Sequence, residues 1–113
     1  MIESDLFDTL SDLVDGRCYP LVMPQNPTLP ALVYSRQSSD PQYRLEGGAS
    51  LNQVRMEIDC YAHTYAAAKA LPESVRLAME SASYKGTLIF DTDFYEPDVK
   101  LYRIVMDFYL WEK

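Results

Sequence analysis

The sequence predicts an α+β domain, an antiparallel-rich sheet with two helices packed on one face. Three observations point there. Two stretches, 2–14 and 64–82, set apolar residues at helical spacing. Two others, 51–62 and 100–111, alternate apolar and polar residues, as a strand with one buried side does. The order helix, strands, helix, hairpin then favours a sheet with helices on a single face. The 113 residues suffice for one core and are too few for two, so residues 1–113 read as one domain.

In the first helix Ile2, Leu6, Leu10, Leu13 and Val14 form the stripe. Asp5 and Asp8 suit its positive N-terminal end, and Gly16 is a natural stop. Arg17 to Pro24 is extended by its prolines, a short edge strand or an arm. Gln25 to Pro30 is a proline-punctuated loop, and Ala31 to Arg36 a strand by composition. Gln37 to Ser50 is polar and ends in Gly47-Gly48, so it reads as a long, mobile loop with Tyr43 and Leu45 as apolar anchors.

Leu51 to Ala62 buries Val54, Met56, Ile58 and Cys60 and presents Gln53, Arg55, Glu57 and Asp59. From Thr64 a helix carries Ala68, Leu71, Val75, Ala78, Met79 and Ala82 on one stripe. Pro72 either kinks it or starts a second segment. Gly86 closes the region. Thr87 to Tyr95 and Lys100 to Trp111 form a hairpin about Glu96-Pro97-Asp98-Val99. In its second arm Tyr102, Ile104, Met106, Phe108 and Leu110 point inward, and Arg103, Asp107 and Tyr109 outward. Phe108→Ala is then expected to cost roughly 3–5 kcal/mol. Asp107→Asn, at an exposed position, is expected to cost under about 1 kcal/mol.

The formal net charge of −7 argues against gripping nucleic acid, which needs clustered Lys and Arg. The N-terminus lacks the basic start and apolar run of a signal peptide, and no window approaches the roughly 20 apolar residues of a membrane span. Production in the cytosol is expected, with Cys18 and Cys60 as free thiols.

Catalytic chemistry is sparse. The one histidine, His63, lies three residues from Cys60, and the two lean to opposite sides of a strand end, so no thiol–imidazole pair forms. A hydrolase would need acids converging on His63. Two cysteines and one histidine do not make a zinc site. Asp91, Asp93, Glu96 and Asp98 lack the spacing of an EF-hand and read as a solvated hairpin tip. Gly47-Gly48 lacks a phosphate-loop pattern. No cofactor and no metal are expected. Aromatic residues are in surplus: nine tyrosines and one tryptophan. Tyr34, Tyr43, Tyr61, Tyr65, Tyr84, Tyr95, Tyr109 and Trp111 suit either half-buried sheet positions or an interface.

Across nearly its whole length the chain resembles a known family. The first helix leads into Gly16-Arg17-Cys18-Tyr19-Pro20 and Leu29-Pro30-Ala31-Leu32-Val33-Tyr34. Val54-Arg55-Met56-Glu57-Ile58-Asp59-Cys60-Tyr61-Ala62 follows, then Thr64-Tyr65-Ala66-Ala67-Ala68-Lys69-Ala70-Leu71 and Val75-Arg76-Leu77-Ala78-Met79. Tyr95-Glu96-Pro97 and Leu101-Tyr102-Arg103-Ile104-Val105-Met106-Asp107-Phe108 close the pattern. This order is similar to the tail completion, or tail terminator, proteins of long-tailed bacteriophages and prophages. Pro72 departs from it, standing where a helix former is expected.

The resemblance implies a non-enzymatic virion protein. Its copies would form a ring, typically of six, that caps the head-proximal end of the tail tube. The implied partners are other copies, the tail tube protein and the head connector or stopper protein. DNA would pass through the centre without specific binding, and no membrane is involved. The expected contact residues are Tyr43, Arg44 and Leu45 in the polar loop and Arg55, Glu57, Asp59, Arg103 and Asp107 on the polar sheet face. A competing expectation is a monomeric binding module that uses the 37–50 loop for a peptide or small ligand.

Overall fold

A computed structural model describes residues 2–43 and 49–112. It contains helix α1 (Ile2–Leu10), a 3-10 turn (Ser11–Val14), strands β1 (Cys18–Pro20), β2 (Ala31–Tyr43) and β3 (Ala49–Ala62), helix α2 (Tyr65–Ser81), and strands β4 (Thr87–Glu96) and β5 (Leu101–Glu112). The five strands form one sheet in the order β1-β2-β3-β5-β4. Only β1 and β2 run parallel; every other neighbouring pair is antiparallel. The expected α+β class stands.

Period-two alternation decides the core. Val54, Met56, Ile58 and Cys60 on β3 and Ile104, Met106, Phe108 and Leu110 on β5 are fully enclosed or nearly so. They pack with Ile2, Leu6 and Leu10 of α1 and Ala68, Leu71, Val75 and Met79 of α2. Each large apolar side chain so buried contributes roughly 1.5–3 kcal/mol. Cys18 and Cys60 are buried and unpaired.

Helix α2 runs unbroken through Pro72. A proline in a free helix costs ~3 kcal/mol or more, but here apolar residues on both sides of it are buried in the same core. The Thr64 hydroxyl, which accepts the Ala67 N–H at 3.1 Å, starts the helix. At the other end Gly86 donates its N–H to the Met79 carbonyl at 3.0 Å. A Cβ on Gly86 would lie 2.9 Å from both the Met79 Cβ and the Met79 carbonyl oxygen, so this close approach requires glycine.

The structure corrects the 37–50 loop. Residues 37–43 continue β2 and residues 49–50 begin β3, in a ladder that runs from Ala31↔Tyr61 to Tyr43↔Ala49. A register shift between Arg36 and Ser38 absorbs one residue. Backbone pairing to β3 overrides a composition that reads as loop. Arg44, Leu45 and the Gly47-Gly48 pair lie outside the described residues, and of Tyr43 only the backbone is described. Of the loop that the monomeric-module expectation uses, residues 37–43 and 49–50 are thus strand, and residues 44–48 lie outside the described residues.

Candidate functional site

The sheet face away from the helices gathers five of the eight expected contact residues. Arg55, Glu57 and Asp59 share it on β3, and Arg103 and Asp107 on β5. Direct cross-strand neighbours are Glu57 and Asp107, two acids, which repel. Diagonal contacts offset that repulsion. The Arg55 Nη2 donates to Asp107 Oδ2 at 3.0 Å. Arg103 donates through Nε to Asp59 Oδ2 at 3.0 Å and through Nη1 to Glu96 Oε1 at 3.0 Å. Its Nη2 also sits 3.6 Å from Glu57 Oε2.

Aromatic rings flank this ladder. The Arg55 guanidinium lies 5.9 Å from the centre of the Phe90 ring, and that of Arg103 lies 5.7 Å from Phe94. Phe90 and Phe94 are 45% and 48% exposed, on a surface that no helix covers. Composition did not mark them as site residues, because the face of an edge strand is not legible from a run of ten mixed residues. Glu96, read as part of a solvated tip, instead binds Arg103.

The two aspartates overturn the expectation of exposed polar residues. Asp59 and Asp107 are each only 5% exposed, enclosed by the arginines and their neighbours. The strand parity holds, since Asp107 faces away from Met106 and Phe108, but its exposure does not. Three buried polar atoms on this face have no hydrogen-bond partner among the described residues: Arg55 Nε, Asp59 Oδ1 and Asp107 Oδ1. Burial pushes the Asp59 carboxyl up to about 7, and neighbouring Glu57 adds to the shift against the opposing pull of Arg103.

A groove of about 1010 Å³ lies at one end of this face, between the 21–30 arm and the β4–β5 turn. Leu21, Val22, Leu29, Val33, Val99 and Leu101 supply its apolar lining. His63, Glu96 and Asp98 also reach it. Glu96 is held by Arg103, and apart from the Tyr61 phenol the lining offers no hydroxyl or thiol nucleophile. Among the described residues no group of His, Cys, Asp and Glu could hold a metal ion. Asp93 turns the other way, toward α2, where it accepts from the Tyr65 hydroxyl at 2.6 Å and from Lys69 Nζ at 3.1 Å.

A model of the tail completion protein gp17 family matches residues 8–113. The chain belongs to that family. Its members are structural proteins of the bacteriophage tail, and the chain is accordingly a virion tail protein that associates with other tail and head proteins. Among solved structures the fold is similar to a chain in the virion of a native gene transfer agent particle. The TM-score is 0.59 at 16% identity, over 97% of this chain and 92% of that one. No curated protein matches the sequence. No helix among the described residues is long and apolar enough to cross a membrane.

Proposed function

We propose that this tail completion protein forms a closed ring, of six copies, on the head-proximal end of the tail tube. The ring ends tube polymerisation and presents the surface that the head connector or stopper protein meets. Family membership over residues 8–113 carries the reading. The uncovered sheet face supports it. That face exposes Phe90 and Phe94 beside Arg55 and Arg103, aromatic and arginine side chains of the kind enriched where a protein partner docks. A net charge of −7 suits a ring that DNA crosses, since an acidic wall repels the duplex instead of gripping it.

The function is structural, and the groove beside His63 serves no reaction. Phage that lack the protein should make tails of abnormal length that do not join heads, and added protein should restore joining. Normal tails and normal joining in its absence would end this reading.

A further inference from the structure

The sheet has two open edges. One is β4, ten residues from Thr87 to Glu96, paired on one side only. On the other side β1 covers only Leu32, Val33 and Tyr34 of β2, so the outer side of β2 from Ser35 to Asp40 has no neighbour among the described residues. An open edge is a row of unpaired N–H and C=O groups. Proteins that stay monomeric blunt such edges with short strands, proline, lysine or bulges. The edge strand β1 is blunted in this way, with three residues ending in Pro20. Strand β4 is blunted less: it runs ten residues with no proline, glycine or lysine, and its one register shift lies near its start, between Leu88 and Phe90. Its charges Asp91 and Asp93 face the helix side, Asp93 being bound to Lys69.

We infer that β4 of one subunit pairs with β2 of a second copy along Ser35–Asp40, so that one sheet runs continuously from subunit to subunit. This rests on the ring reading and names its seam. Strand direction is the first support. The strands β2, β3, β5 and β4 alternate in direction, so a second copy continuing the sheet sets its β2 antiparallel to β4. The two edges differ, so each copy offers one of each and the series continues until it closes. Pairing of two β4 strands about their middles is disfavoured, because it would set Asp91 and Asp93 of one copy against those of the other. Pro41, which has no N–H to donate, marks where the new ladder ends.

Cysteine cross-linking on assembled tails tests the seam. Thr92 lies on the uncovered face, opposite Val105, and Ser35 and Ser38 lie on the same face of β2, opposite Glu57 and Arg55. Thr92→Cys is combined with Ser35→Cys in one variant and with Ser38→Cys in another. The native Cys18 and Cys60 are buried and stay out of the reaction. On mild oxidation at least one pair should give a ladder of linked subunits, and Thr92→Cys alone should give none. Completed tails with no cross-link from either pair would overturn the seam. So would covalent dimers from Thr92→Cys alone, or a cross-link from it to another tail protein. All three results leave the ring reading standing, whereas normal tails without the protein would remove that reading itself. Should the variants fail to assemble, amide exchange decides on wild-type protein: β4 amides that exchange in free subunits must become protected on tails, and unchanged exchange refutes the pairing.

Discussion

Arg103 holds one oxygen of Asp59 with two nitrogens, Nε at 3.0 Å and Nη2 at 2.9 Å from Oδ2, and leaves Oδ1 buried with no donor. Burial, opposed by this contact, makes Asp59 a titrating group of the uncovered face. Its carboxyl stands at about 7 in the folded chain, chiefly because burial penalises the charged form, against an ordinary value of 3.8. The folded protein therefore binds more protons than the unfolded chain between those two values, and stability falls as pH rises through that window. Denaturant melts at pH 5 and pH 8 should show wild type weaker at pH 8. Asp59→Asn should shrink that difference. An unchanged difference would assign the pH dependence to other groups.

Asp107 and Phe108 are chain neighbours on opposite faces, and both are buried. Phe108→Ala empties a fully enclosed site and should cost roughly 3–5 kcal/mol. Asp107→Asn disturbs a buried carboxylate whose partner Arg55 stays partly solvated, so it should cost about 1–3 kcal/mol, the usual penalty for an unmatched buried polar group. Urea melts of the two variants check the order. A cost for Asp107→Asn within a few tenths of zero would mean that water reaches its side chain in solution.

Asp107 also shows where sequence stops being informative. Alternation along β5 identifies its face, because backbone geometry alone turns successive side chains to opposite sides. Its burial depends on Arg55 from β3, which sits diagonally across the ladder, and no local pattern encodes that neighbour. The same holds for Glu96 with Arg103. The helices and β3 were legible because their apolar stripes are long and regular. Residues 37–43 were not, because Asp40 and Pro41 there have low strand propensity and the strand is held by its ladder to β3. The continuity of α2 through Pro72 was likewise a matter of packing.

Cys18 and Cys60 should behave as buried thiols. Burial pushes the Cys18 thiol up to about 11 and raises Cys60 as well, so little thiolate is present near neutrality. A thiol reagent should react slowly with native protein and find two free thiols after denaturation without reductant. A count near zero would indicate a disulfide.

Arg36 ties three distant parts of the chain together. It donates through Nε and Nη2 to the Glu3 carboxylate of α1, each at 3.0 Å. It also donates through Nη1 and Nη2 to Glu112 near the end of β5, at 3.3 and 3.0 Å. Both contacts are two-pronged and partly buried, the geometry in which an ion pair keeps measurable strength. Hydrogen bonding to Arg36 is the main reason the Glu112 carboxyl lies below its ordinary 4.5. A carboxyl lowered by folding stabilises above its unfolded value and loses that stabilisation as pH falls through the folded one. Arg36→Met should therefore cost about 1–2 kcal/mol at pH 7, more than an exposed pair contributes. The gap between variant and wild type should narrow as pH drops below 4.5, where Glu112 takes up its proton. Denaturant melts at pH 7 and pH 3.5 check both parts. A gap of the same size at both values would mean that Arg36 stabilises through the packing of its aliphatic stem and not through the two carboxylates.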